Sequence, residues 1–278
     1  MLALAKMLAV QLGKSLQFQG IDTVNSQEIP VNHIKHKTKI TYGSAIALKL
    51  SSRLHQPPLD LAEAICVSLK TLNTQGQYGF GQIPRDVTVY PLSSGMLQFI
   101  FTDRGIATWL EQLLRHRWVL TPLRNREISP DQFELQYSHA RCCSLLSLAH
   151  REHLIQLEEP NLKAVLPLKI SVTSPPIPWL TAQGQLQLTQ SYDYQLLMQL
   201  VKTVDALFFP LSSPNWLKLA AQLSQDFQQF YRYCRIWGEV KQQTPKLAQA
   251  RLGLVLITQV ILQILLEEKL GIMAPFEL

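Results

Sequence analysis

Charge is scarce in this chain. Asp, Glu, Lys and Arg make up 17% of its 278 residues, against about 25% in ordinary globular domains. That shortage excludes a charge-driven disordered tail and a polyelectrolyte glove for RNA. No apolar run of about 18 residues, the length a membrane helix needs, is free of polar interruption. The best stretch, Leu252–Leu266, is too short and carries Gln259 and Gln263, so no membrane span is expected. Cysteine is limited to Cys66, Cys142, Cys143 and Cys234, with no CxxC pair, which argues against a zinc ribbon. Vicinal Cys142 and Cys143 rarely bridge each other, and all four read as buried, reduced thiols of a cytoplasmic protein. The opening MLALAKMLAV places Lys6 inside its apolar stretch and offers no small-residue cleavage site. It reads as a short N-terminal helix, not a signal peptide. No repeat of 20–50 residues is present.

Catalytic constellations are also missing. Ser138 beside His139 lacks a GxSxG turn. Neighbours on a helix point about 100° apart, so these two are expected to pack or cap. Gly76, Gly79 and Gly81 do not follow a strand and open a helix, as a phosphate-binding loop would. His33 and His36 have no third metal ligand nearby and sit with Lys35, Lys37 and Lys39, a solvated basic loop. Glu158–Glu159 and Glu267–Glu268 read as solvated pairs. The chain is therefore expected not to be an enzyme and to need no metal or cofactor.

What is present is an α+β pattern followed by helices. A helix is predicted over 41–55, with Ile46, Leu50 and Leu54 at i+4 steps, ended by Pro57–Pro58. A second runs over 59–72. The strands DVTVYP (Asp86–Pro91) and MLQFIF (Met96–Phe101) flank a turn at Ser93, Ser94 and Gly95. Alternation puts Leu97, Phe99 and Phe101 on one face and Met96, Gln98 and Ile100 on the other. Asp103 can cap a helix through Ile106, Leu110 and Leu114. Residues 1–115 thus read as a small α+β domain. Residues 116–134, with Pro122, Arg124, Asn125, Arg126 and Pro130, read as a connector. Residues 135–278 read as an all-α helical bundle, with helices near 134–150, 191–208, 215–237 and 246–270. Arg251 interrupts the apolar stripe of the last helix.

The net charge is +6, and the surplus falls mainly in residues 1–115, with 11 basic and 7 acidic side chains. A mild surplus suits a polyanionic partner without requiring one. Around the predicted loop at 238–246 stand Tyr231, Arg232, Tyr233, Arg235, Trp237, Lys241 and Lys246. Aromatic rings stack on bases and cations meet phosphates, which is how single-stranded RNA loops are held. Phe227, Tyr231 and Arg235 share one helical face, and Tyr233 and Trp237 another.

Four blocks in order carry a family resemblance. FELQYSHARCCSLL (Phe133–Leu146), DFQQFYRYCRI (Asp226–Ile236), ARLGLV (Ala250–Val255) and LGIMAPFEL (Leu270–Leu278) resemble the DALR anticodon-binding domain of arginyl-tRNA synthetases. Leu278 stands where that family usually ends in Met. YGSAIALKLSSRL (Tyr42–Leu54), LAEAI (Leu61–Ile65) and GMLQFIF (Gly95–Phe101) resemble the same family's additional N-terminal domain. Its Gly-Asp is Gly43–Ser44 here. The catalytic signatures His-Ile-Gly-His and Lys-Met-Ser-Lys-Ser are not in this sequence, and His33-Ile34-Lys35-His36 is a superficial echo. The resemblance implies a non-catalytic protein that keeps the tRNA-gripping ends of a synthetase. Gln98 would lie near a base of the tRNA elbow, and Tyr231, Arg235, Trp237, Lys241 and Lys246 would meet the anticodon stem-loop. The rival expectation is a module for protein interaction or self-association that has kept the fold and lost RNA. It predicts a neutral or acidic surface around 238–246 and an apolar patch elsewhere.

Overall fold

A computed structural model describes residues 2–21, 25–36, 38–74, 86–116, 118, 132–157 and 176–278. The Gly76–Gly81 loop, Pro122 through Pro130 of the connector, the Glu158–Glu159 pair and Lys37 lie outside them. The chain divides into two compact units. One is Met1–Trp109 with Val204–Ser212; the other is Leu110–Thr203 with Ser213–Leu278.

The first unit is built on a four-stranded antiparallel sheet of order β1-β2-β4-β3, with β1 Val31–Ile34, β2 Thr41–Ser44, β3 Val87–Pro91 and β4 Leu97–Phe101. The alternation read from the sequence holds in β4: Leu97, Phe99 and Phe101 are buried, and Gln98 and Ile100 are partly exposed. Helix α1, Leu4–Phe18, buries Leu4, Leu8, Leu12 and Leu16 at i+4 steps. It is longer than the expected short helix. Gly20, at φ 73°, ends it, and the Ile21 N–H reaches back to the Leu16 carbonyl.

Three local expectations are corrected. The stretch Thr41–Ser44 is strand β2, not the first turn of a helix, and helix α2 spans only Ile46–Leu54. Tertiary pairing decides this, because Tyr42 and Ser44 pair with Phe99 and Leu97 of the neighbouring strand. Tyr42 is fully buried, and its hydroxyl donates to Asp205 at 2.5 Å. The solvated basic loop read from His33 onward is in part a strand, since His33 lies in β1 and is only partly exposed. Helix α4, Asp103–Arg115, is capped not by Asp103 but by Thr102, whose Oγ1 accepts from the Gly105 N–H at 3.2 Å. Helix α3, Pro58–Thr74, begins on the second of the two prolines, one residue earlier than expected, in the first-turn position where proline needs no N–H partner. In the β3–β4 turn Gly95 has φ 82°, and a Cβ there would stand 2.5 Å from the Pro58 Cβ. Both the backbone and the packing require glycine.

The second unit is helical: α5 Phe133–Arg151, α6 Ser191–Phe208 (whose last turns belong to the first unit), α7 Trp216–Tyr233, α8 Glu239–Gln243 and α9 Pro245–Ile264. A π-helical stretch, Leu265–Leu270, continues α9. Every residue of α9 from Ala250 on is buried, and α5 and α7 both pack on it. The helix from Pro245 to Leu270 is long and apolar enough to cross a membrane by length and composition, which corrects the expectation that no such segment exists. Its most apolar stretch is 94% buried inside the fold, as the central helix of a bundle is. Arg251, which breaks the apolar stripe, is 1% exposed. Its Nε and Nη2 donate to the two oxygens of Asp193 at 2.9 and 3.1 Å, and its Nη1 donates to the Arg235 carbonyl at 2.6 Å. Asp193 also accepts from the Gln190 N–H at 3.1 Å, closing the first turn of α6 as the third helical residue of a capping box does. All four cysteines are free and buried. Burial pushes the Cys143 thiol up to about 12, so it stays protonated.

Candidate nucleic-acid interface

Helix α7 ends earlier than its periodicity predicts, at Tyr233, where the backbone of Cys234 turns extended (φ −100°, ψ 92°). Residues up to Trp237, expected on one continuous helix, therefore leave it. This sets the geometry of the predicted site. Tyr231 and Tyr233 lie in the last helical turn, and Arg235 sits on the extended link beyond it. The Arg235 carbonyl is tied to buried Arg251, so its side chain, which is exposed, projects from a fixed backbone. Trp237 is half-buried. Gly238, at φ 68°, then opens α8, which occupies the expected 238–246 loop. Lys241 lies on α8 and donates to Glu152 at 2.8 Å. That hydrogen bond is the main cause holding the Glu152 carboxyl below its usual range. Lys246 is exposed in the first turn of α9.

The site has a second wall that the residue pattern did not single out. On α5, Phe133, Tyr137 and Arg141 recur at i+4 steps. Phe133 and Tyr137 stack at 6.1 Å, and Tyr137 is 44% exposed. The Arg141 guanidinium lies over the Tyr231 ring, 4.6 Å from its centroid, and its Nη2 donates to the Tyr231 hydroxyl. Phe227 stacks on Tyr231 from one turn earlier on α7, at 6.5 Å. Tyr231 is still 38% exposed. The ring is thus held in one orientation by a cation and a buried aromatic while part of it faces solvent. A rigid ring loses little entropy when a base stacks on it. The signal available in the sequence was an aromatic–aromatic–arginine row facing away from the α5 core stripe.

Ser138 and His139 do structural work, as expected. Ser138 shares a hydrogen bond with Ser224 at 2.5 Å and accepts from Gln228 at 3.1 Å. The buried His139 donates from Nδ1 to the Pro275 carbonyl at 2.8 Å and accepts at Nε2 from the Gln259 amide at 2.9 Å. This pattern requires neutral imidazole, and burial lowers its pKa to about 4. Gln136, one residue before Tyr137, donates to the Met273 carbonyl at 2.9 Å. Helix α5 therefore supports Tyr137 and Arg141 on its outer side and clamps the C-terminal tail from Gly271 on its inner side.

In the first unit Gln98 lies on the sheet face turned away from the core. The register aligns Asn32, Gly43, Gln98 and Tyr90 in one row across all four strands. Asn32 and Tyr90 are exposed, Tyr90 by 47%, and Gln98 is partly exposed. Gly43, between Asn32 and Gln98 in this row, is buried, and a Cβ there would stand 2.8 Å from the Ile34 Cδ1 and 3.3 Å from the Met96 Cε, so two apolar side chains cover the middle of the row. Among the described residues no group of three His, Cys, Asp or Glu side chains is placed to hold a metal ion.

Comparison with known proteins fits this geometry. An arginine–tRNA ligase of Synechococcus sp. (strain JA-3-3Ab) is 33% identical over 144 residues, 51% of this chain and 21% of that protein. The chain thus spans about a fifth of that relative's length. No solved structure matches the chain. The family model of the DALR anticodon binding domain matches residues 135–278, from the first turn of α5 through the clamped tail. By that match over half its length, the chain belongs to the DALR anticodon-binding domain family.

Proposed function

We propose that this protein binds tRNA without catalysing aminoacylation, gripping the anticodon stem-loop with the α5–α7 face of its helical unit. The observation that carries the reading is the Arg141–Tyr231 pair. It is an exposed ring fixed by a guanidinium, beside exposed Arg235, in a unit of an anticodon-binding family. Tyr231 and Tyr137 would stack on loop bases, and Arg235 and Lys246 would meet phosphates. Trp237 would contribute its accessible edge. Lys241 contributes less, because Glu152 already neutralises it. Gln98 and Tyr90 on the outer sheet face would take a second, weaker contact to an RNA loop, the tRNA elbow in the resemblance. The non-catalytic part of the reading is carried by the region matched, which is the anticodon-binding domain.

The test is binding to total tRNA and to an anticodon stem-loop across a salt series. Submicromolar binding at low salt is expected. Its salt slope should correspond to a few phosphate contacts, at about −0.7 per neutralised phosphate for single strands. A Tyr231→Ala/Arg235→Ala double variant should lose most of it. No binding at about 10 μM protein, where nonspecific polyanion contact is often already visible, would overturn the reading. One observation favours the rival assembly module. Phe133 and Leu217 leave apolar surface exposed on the helical unit, and a protein partner would cover it. A partner captured by a protein that ignores RNA would support that alternative.

A further inference from the structure

The same helix end carries a second aromatic stack, made with a helix, α6, that the tRNA reading does not use. Tyr233 lies two residues after Tyr231, so the two side chains leave α7 about 200° apart. Tyr231 turns toward Arg141 of α5. Tyr233 turns instead toward Tyr192 in the first turn of α6. The two rings lie nearly parallel, 13° apart, with centroids at 4.5 Å. Arg232 places its guanidinium over Tyr233, 5.3 Å from the ring centre. Tyr233 is still 46% exposed, and a base would join the stack by taking the place of the Arg232 guanidinium or by lying on its outer plane, since bases stack on arginine planes as well as on aromatic rings. The exposed charged side chains from 232 to 246 are Arg232, Arg235 and Lys246 against Glu239, and this balance complements a polyanion.

We infer that Tyr192 and Tyr233, with Arg232, form a second nucleotide subsite, which stacks a base of single-stranded RNA on the opposite side of α7 from Tyr231. The inference rests on the RNA-binding reading and extends it. Core packing does not account for the arrangement. A tyrosine pair that served only the core would be buried, whereas here Tyr233 is exposed and Tyr192 partly so, beside the exposed residue Arg232. A helix with its side chains is about 10–12 Å across. Two stacks on its two sides therefore suit nucleotides one or two positions apart in an extended strand, with Arg232 and Arg235 near the intervening phosphates.

The experiment uses the full chain and a synthetic anticodon stem-loop with 2-aminopurine at each loop position in turn. Stacking on tyrosine quenches this base, so wild-type protein should quench at two separate positions. Tyr233→Leu, which keeps apolar volume, should restore fluorescence at one position only and weaken binding about 5- to 100-fold. The salt slope should stay unchanged, because no charge is lost. Tyr231→Leu should restore the other position. Tyr233→Phe should bind as wild type does. Thermal melts of the variants verify that the fold is kept. If the wild type binds and Tyr233→Leu matches it in affinity and quenching, the second subsite is overturned while the tRNA reading stands. If the wild type binds no RNA, both fall together.

Discussion

Replacing Arg251 with Met tests how the helical unit is held together beneath its binding face. The guanidinium is 1% exposed and makes three hydrogen bonds, two to Asp193 and one to the Arg235 carbonyl. Met restores much of the apolar volume, so little of the effect comes from a cavity. What remains is a carboxylate left in the core without its cation, beside the Gln190 N–H and the Cys234 thiol. Breaking one side of a buried pair costs about 3–5 kcal/mol. For a unit near 150 residues each kcal/mol moves Tm by roughly 2–4 °C, so a fall of about 6–20 °C is expected by circular dichroism. Adding Asp193→Asn removes the stranded charge, and the amide oxygen still accepts from Gln190. The double variant should therefore recover a substantial part of the loss, about 1–2 kcal/mol, a non-additivity typical of residues in one network. The Arg235 link should also loosen, seen as faster amide exchange at 234–237. An Arg251→Met variant within about 1 kcal/mol of wild type would refute the argument that this pair locks α9 to α6. A double variant less stable than the single one would refute the assignment of the loss to a stranded carboxylate.

Titration offers two further tests. Asp205 donates no proton to its partners; it accepts from the Ala5 N–H and the Tyr42 hydroxyl, and burial raises its pKa from 3.8 to about 6. The folded state therefore binds more protons than the unfolded one between these values, and Asp205 should lower stability as pH rises from about 4 to 6. Asp205→Asn cannot titrate: its oxygen can still accept from the Ala5 N–H, while its amide NH2 would face the Tyr42 hydroxyl, which must turn to accept, and it should flatten that part of the pH profile. A denaturant series at pH 4, 5, 6 and 7 reads this, and an unchanged slope would contradict it. His139 behaves with the opposite sign. Its pKa falls from 6.5 to about 4, so its contribution is present above 6.5 and is lost as pH drops through 4. Carboxypeptidase digestion of the tail should accelerate over that range, and His139→Ala should make it fast already at pH 7. A tail equally resistant in wild type and variant would show that the Pro275 contact does not anchor it.

Much of this fold was legible along the chain, and the reasons are local. The i+4 apolar steps, Pro57–Pro58, the β4 alternation and the turn at Ser93–Gly95 each follow from the backbone preferences of a few neighbouring residues. The ordered blocks from Phe133 to Leu278 carried the family, because they record side chains that must meet in one bundle. The misreadings share the opposite cause. Thr41–Ser44 has a helix-compatible pattern, and only pairing with β4 makes it a strand. The α7 periodicity runs on past Tyr233, but the backbone turns extended at Cys234 and the next carbonyl, that of Arg235, accepts from Arg251 of a distant helix.

The candidate site divides along the same line. Composition and spacing alone determined that rings and cations gather near 231–246 and that Gln98 lies opposite the core face of its strand. Only the tertiary structure decided which of those cations are free. Lys241 met a carboxylate 89 positions away, while Arg235 and Lys246 kept exposed side chains. Only the tertiary structure brought Arg141 onto Tyr231, 90 positions apart, and Tyr192 onto Tyr233. It also turned Arg251 from a break in an apolar stripe into the centre of the bundle. Periodicity assigns a residue to a face of its own element, but a charge or a ring acquires its role from the partner it meets. Such partners come from elements that are remote in the chain and adjacent only once it has folded.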